Sequence, residues 1–306
     1  MGQIAFVFSG QGAQYSGMGQ SLSQASSAAR AVFEAVDAIR PGTSQQCFTG
    51  SKEGLSITSN TQPCMFAVEL AAARALEEAG ILPVRVAGFS LGEIAALTYS
   101  GAVSLEDGFR LVCRRGEFMQ QAAEAADTGM VAVLKLNNET VEALCRQQPE
   151  VYPVNYNCPG QVTVAGLKSS LAALKDAVKA AGGRAVPLAV SGGFHSPFMV
   201  PAAKQLEQVL SGMEIAAPGI PLYSNYTAKL YEGDYRMLLC QQICHPVRWQ
   251  AIVEDMIRQG IDTFIEVGPG KTLCGLIAKI DPAVRAWNVE NAESLQAVIN
   301  EVKSEC

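Results

Sequence analysis

The chain has 306 residues, 49% hydrophobic and 17% charged, with a net charge of −6 and a pI near 5.1. This is the composition of a soluble folded protein with a substantial core, and its acidity argues against general nucleic-acid binding. No stretch approaches bilayer length, and the opening M-G-Q-I-A-F-V-F-S-G lacks a basic n-region and has too short an apolar run for a signal peptide, so a cytoplasmic protein is expected.

Residues 3–8 (Q-I-A-F-V-F) read as a buried strand that ends in the small-residue loop S-G-Q-G-A-Q. That loop is not a dinucleotide fingerprint, because the last glycine of G-x-G-x-x-G would fall on Tyr15. Residues 27–39 and 63–79 are helical in pattern, with Pro63 suited to a first turn and Gly80 to a stop. Next comes V-R-V-A-G-F-S-L-G-E-I-A-A-L-T at 84–98, a short β-prone run, then G-x-S-x-G, then a helix. This is the pattern of a nucleophile elbow, in which a sharp turn holds Ser90 Oγ clear of strand and helix. Ser90 and Glu93 also have capping-box spacing, so a plain helix cap is the competing reading.

A helix from about 104 to 123 carries the most informative charge. At about 100° per residue, Phe118, Leu111, Ala122, Met119 and Val112 share one arc with Arg115 inside it, while Arg110, Arg114, Glu117 and Gln121 lie outside. A guanidinium on an apolar face needs an anion, which is either a buried protein carboxylate or a substrate carboxylate.

Between 127 and 191 the order is strand, helix, strand, strand, helix, strand, the split β-α-β arrangement of ferredoxin-like domains. It reads as an insertion within a larger α/β body formed by 1–126 and 192–306, whose strands alternate with helices and imply a mostly parallel sheet. The body resumes at S-G-G-F-H-S-P, then a helix over 198–210, an extended P-L-Y-S-N-Y, a helix over 246–259 and a strand at 262–267. Gly268-Pro269-Gly270-Lys271-Thr272 then opens a final large helix. It is not a phosphate loop, since Ile265 occupies the place of the first glycine.

A catalytic serine needs a base, and the chain has two histidines. His195 sits in a glycine-flanked loop and is the candidate, whereas His245, before Pro246, reads as structural. No acidic third member is evident from spacing. Nine scattered cysteines read as reduced thiols, and the Cys240, Cys244, His245 cluster lacks further ligands at zinc spacing, so no metal site is expected.

Together these residues resemble the malonyl-CoA:acyl-carrier-protein transacylases of fatty-acid and polyketide synthesis. Seven motifs in order carry the resemblance over essentially the whole chain: F-S-G-Q-G-A-Q (8–14), G-F-S-L-G-E (88–93), R-R-G-E-F-M (114–119), N-Y-N-C-P-G-Q (155–161), G-G-F-H-S-P-F-M (192–199), Q-I-C-H-P-V-R-W (242–249) and E-V-G-P-G-K (266–271). The resemblance implies a hydrolase-like body with a ferredoxin-like insert. It also implies Ser90 as nucleophile, His195 as base oriented by the Gln242 carbonyl, and Gln11 and Leu91 N–H groups as the oxyanion hole. Arg115 would hold the malonyl carboxylate, Met119 and Phe194 would line the acyl pocket, and Asn157 and Gln161 would face the cleft. The expected partners are malonyl-CoA and acyl carrier protein, with coenzyme A thioester as substrate, no cofactor, and a monomeric chain. One departure stands out: Phe89 occupies the place of the family's usual His, which bears on acyl selectivity. Two rivals are an acyl hydrolase of the same fold, which needs no arginine clamp, and a scaffolding member, which would be expected to lose Ser90 or His195.

Overall fold

Five of the six residues in Q-I-A-F-V-F are buried, so this strand must be covered on both faces, as the central strand of a parallel sheet is. The computed structural model describes residues 2–304, with eight strands among them: β1 (Gln3–Phe8), β2 (Arg85–Gly88), β3 (Thr128–Leu134), β4 (Val151–Cys158), β5 (Gln161–Leu167), β6 (Arg184–Pro187), β7 (Ile261–Val267) and β8 (Arg285–Val289). They form two sheets. The first has the order β2-β1-β7-β8 and is parallel throughout. The second, order β4-β5-β3-β6, is antiparallel, with one helix between β3 and β4 and another between β5 and β6. The fold is therefore α/β, with a parallel sheet and a separate antiparallel one.

Helix Thr58–Glu78 is buried along most of its length. It packs closely on helix Leu105–Glu124 because Gly116 lets the Thr58 carbonyl approach, where an added Cβ would sit 3.1 Å from that oxygen. The sequence pattern starts this helix at Pro63, but the structure starts it at Thr58 and carries Pro63 inside it. Thr58 N–H donates to Gln120 Oε1 (3.0 Å), so a tertiary contact supports the early turn that proline alone disfavours.

The C-terminal end also departs from the pattern. The single final helix is in fact helix Thr272–Ile280, strand β8 and helix Ala292–Ser304. Asp281-Pro282 ends the first helix, and the short R-A-W-N-V run then pairs with β7 at the sheet edge. Short helices at Gln20–Ala25, Thr43–Thr49 and Lys52–Leu55, and a longer one at Tyr235–Cys244, were not legible as periodic segments. The helix expected from 246 runs Trp249–Arg258. No helix among the described residues is long and apolar enough to cross a membrane.

Candidate active site

β2 ends at Gly88 and the next helix begins at Gly92, so the turn between them is only three residues long. Ser90 takes a left-handed φ of 58°, a costly conformation for a residue with a side chain. The glycines serve close approach here: a Cβ on Gly88 would lie 1.9 Å from the Gly92 carbonyl carbon, and one on Gly92 would lie 2.4 Å from the Phe8 carbonyl oxygen. Asn225 braces the turn on both sides of Phe89. Its Oδ1 accepts from Ser90 N–H (2.8 Å) and its Nδ2 donates to the Gly88 carbonyl (2.6 Å).

Ser90 Oγ lies 2.7 Å from His195 Nε2, although the two are 105 residues apart. His195 Nδ1 lies 2.9 Å from the Gln242 carbonyl. A carbonyl only accepts, so Nδ1 carries the proton and Nε2 presents its lone pair to the serine hydroxyl. Burial, and then the nearby Arg115 charge, lower the His195 pKa to about 4, so the imidazole is neutral at physiological pH.

Arg115 is fully buried, while Arg110 and Arg114 of the same helix pair with exposed glutamates. Its Nη1 donates to Gln62 Oε1 (2.8 Å), and its Nη2 donates to Gln242 Oε1 (2.9 Å) and Ser90 Oγ (3.2 Å). Nε has no partner, and no carboxylate among the described residues pairs with this guanidinium directly. Of the two anions open to it on sequence grounds, the protein carboxylate is thus absent from its contacts. Burial lowers its pKa to about 10, which leaves it charged at neutral pH.

Below the turn lies Glu93, also fully buried. Its carboxylate accepts from Tyr231 Oη, from Asn225 N–H (3.0 Å) and from Gln242 Nε2 (3.2 Å). Burial raises its pKa to about 7, against the pull of those donors.

Two cavities meet at Phe89. The inner one, about 90 Å³, is lined by Ser90, His195, Gln11, Gln62, Met119 and Phe194 among others. The outer one, about 240 Å³, is lined by Asn157, Gln161, Asn155, Thr163 and the Gly10–Ala13 loop. Gln11, Phe89, Asn155 and Leu188 belong to both. The structure thus gathers Ser90, His195, Gln242, Arg115, Met119 and Phe194 in one place, and sets Asn157 and Gln161 in the outer space. The N–H groups of Gln11 and Leu91 donate to no acceptor among the described residues. Phe89 packs edge-on against Trp249, with ring centroids 5.6 Å apart. Cys244 Sγ lies 3.4 Å from His245 Nδ1, but it also donates to main-chain carbonyls of its own helix, and burial raises its pKa.

A family model described as "Acyl transferase domain" matches residues 5–304. The chain belongs to that acyl transferase family. It is 36% identical to the malonyl CoA-acyl carrier protein transacylase of Bacillus subtilis (strain 168), over 100% of this chain and 99% of that one. Against the transacylase of the same name from Escherichia coli (strain K12), identity is 36% over 98% of this chain and 99% of the other. The solved malonyl CoA-acyl carrier protein transacylase from Clostridium perfringens superposes with a TM-score of 0.96 at 36% identity, covering 99% of this chain and 98% of that one. Another solved structure, a type II PKS acyl-carrier protein in complex with its malonyl-transacylase, gives 0.93 at 36% identity over 98% and 99% of the two chains. Like its relatives, this acyl transferase is an enzyme.

Several residues of this acyl transferase site escape a reading of its sequence. Gln62 stands one residue before the proline taken as the helix start, so no helical face could be assigned to it. Asn225 lies in the extended P-L-Y-S-N-Y run, where nothing marks a brace for a turn 135 residues away. Glu93 was visible as a capping residue, but its side chain turns inward to Tyr231, Asn225 and Gln242.

Proposed function

We propose that this enzyme transfers a malonyl group from malonyl-CoA to the phosphopantetheine thiol of an acyl carrier protein, through an acyl-Ser90 intermediate. The observation that carries the reading is the Ser90 hydroxyl held at once by the His195 base and by a buried arginine with no carboxylate partner.

The geometry supports the chemistry step by step. His195 Nε2 takes the proton as Ser90 Oγ attacks the thioester carbonyl. The free N–H groups of Gln11 and Leu91 stabilise the oxyanion, and the collapsing intermediate expels coenzyme A as the thiol, taking the proton from His195. The acyl-serine then waits in the inner cavity for the acceptor thiol, which attacks with the same base. Arg115 holds the free carboxylate of the malonyl group through its planar fork, and Met119 and Phe194 flank the acyl chain. The outer cavity, with Asn157 and Gln161 in its wall, admits the pantetheine arm past Phe89. In this reading the enzyme works as a cytoplasmic monomer, and the thioester and the acceptor thiol suffice as reactants.

The same reading takes residues 1–126 and 192–306 as a hydrolase-like catalytic body and 127–191 as a ferredoxin-like insert. The β4-β5-β3-β6 order of the antiparallel sheet supports the insert, since the first and third strands of its β-α-β-β-α-β run lie side by side at the centre. A Ser90 placed at the end of β2, before a helix, supports the body.

Intact-mass measurement after incubation with malonyl-CoA, and separately with acetyl-CoA, tests the proposal. A malonyl adduct mapping to Ser90, well in excess of any acetyl adduct, is expected. No adduct, or one on another residue, would refute it.

A further inference from the structure

The amide of Gln242 stands between the Arg115 guanidinium and the Glu93 carboxyl group, which do not touch. Its Oε1 accepts from Arg115 Nη2 (2.9 Å) and its Nε2 donates to Glu93 Oε2 (3.2 Å) and to the Ser90 carbonyl (2.6 Å). Only one orientation of an amide satisfies all three, because a guanidinium offers only donors and a carboxylate and a carbonyl only acceptors. The main-chain carbonyl of the same residue receives His195 Nδ1. One residue therefore fixes the base through its backbone and the arginine through its side chain.

Glu93 is what that side chain leans on. It is 0% exposed, and its carboxylate has three donors and no cation in direct contact. Through Asn225 N–H it also secures the residue whose side chain braces Ser90 N–H and the Gly88 carbonyl. A buried carboxylate kept away from a direct ion pair is costly unless its hydrogen bonds are complete, and here they link the two halves of the site.

We propose that Glu93 is a positioning residue for acyl selection, acting through the Gln242 amide to hold the Arg115 guanidinium at the angle that meets a free acyl carboxylate. The proposal rests on Arg115 as the malonyl clamp. Glu93 touches neither substrate nor the reacting atoms. Its effect on Arg115 is transmitted by one amide, whereas the Asn225 brace serves every substrate alike, so beyond any loss common to both its removal should fall on substrates that use Arg115.

The test measures kcat/KM for malonyl-CoA and acetyl-CoA in Glu93→Gln, Glu93→Ala, Gln242→Ala, the Glu93→Ala/Gln242→Ala double variant and Arg115→Ala. Glutamine at 93 can accept from Asn225 N–H and Gln242 Nε2 with its oxygen and donate to Tyr231 Oη with its nitrogen. It keeps the bonds to Asn225 and Gln242, reverses the one to Tyr231 and removes the charge, so Glu93→Gln should retain the malonyl preference. Glu93→Ala should lower the malonyl-to-acetyl ratio about tenfold, a modest effect because the Ser90 carbonyl still holds Gln242 Nε2. Gln242→Ala keeps the carbonyl for His195 and should lose the same preference, and the double variant should lose little more than either single one.

An equal fall on both substrates in Glu93→Ala, or additive effects in the double variant, overturns the proposal. So does a Glu93→Gln variant as unselective as Glu93→Ala, which would make charge the agent. If Glu93→Ala does not fold, Gln242→Ala decides: a malonyl preference left intact there overturns the proposal. Arg115→Ala separates the two layers. Equal losses on both substrates there remove the clamp itself, whereas a selective loss there with an unselective Glu93→Ala removes Glu93 alone.

Discussion

The inner and outer cavities share Phe89, Gln11, Asn155 and Leu188, yet their polar side chains are engaged to different degrees. Around the inner one, Ser90, His195, Gln62, Gln242 and Glu93 are joined in one continuous hydrogen-bonded network, with Arg115 at its centre. In the outer one Asn157 Oδ1 is buried without a partner, as is Asn155 Oδ1 on the wall the two cavities share. The inner network, in which only Arg115 Nε is left unpartnered, holds the guanidinium in one place and so suits selection among acyl groups. Unpartnered amide oxygens in a wider space suit a visitor that brings its own donors, such as the amides of a pantetheine arm. On the proposed function, the difference separates acyl selection from pantetheine access, and it can be tested by altering one without the other.

The largest expected effect falls on the inner network. His195→Ala should slow acylation of Ser90 by about 10²–10⁴-fold for every acyl group while leaving the fold intact. Rapid quench with labelled malonyl-CoA measures it, and an unchanged rate would remove His195 from its role. Arg115→Ala comes next, and it should discriminate. Malonyl-CoA should lose about 2–5 kcal/mol in kcat/KM, the range for removing one side of a buried charge pair. Acetyl-CoA, with no carboxylate to offer, should lose far less. A rival acyl hydrolase would show equal losses.

Legibility from sequence follows the same divide. Ser90, His195 and Arg115 announce themselves by local pattern: a glycine-framed turn, one of only two histidines, and one charge on an apolar helix face. The alternating strands of the antiparallel sheet were readable because a period of two survives in a short window. What escaped depends on distant chain segments. Gln62 is helical because Gln120 supports the turn before Pro63, and β8 is a strand because β7 offers it an edge. No local window carries either fact. Asn225 and Tyr231 are likewise defined by a glutamate 132 and 138 residues away.

The third test is smaller and concerns charge within the inner network. Burial lowers the His195 pKa to about 4, with Arg115 as the second cause. The base is active when neutral, so kcat/KM should hold as pH falls through 6.5 and decline only toward pH 4 to 5. Removing Arg115 takes away a neighbouring positive charge, so the acid limb of the residual acetyl activity should move to higher pH. A wild-type limb centred near 6.5 would mean that His195 is open to solvent in the working enzyme.

The smallest expected effect lies at the boundary. Phe89 walls both cavities and packs against Trp249, where related transacylases are expected to carry histidine. A phenyl ring can neither donate nor accept a proton, so the chemistry at Ser90 must run without help from this position. Ser90 is held instead by His195, Arg115 and the Asn225 brace, none of which touches the Phe89 side chain by a hydrogen bond. Phe89→His should therefore keep malonyl transfer within about tenfold, or 1.4 kcal/mol. The preference among acyl groups should move more than the malonyl rate, because a polar ring would change the wall on which an acyl chain rests. Parallel kcat/KM series over malonyl-, methylmalonyl- and acetyl-CoA measure both quantities. A malonyl rate that rises by several orders of magnitude would show that the phenyl ring cripples the transferase, and that the natural substrate is something the Phe89 wall was shaped to accept.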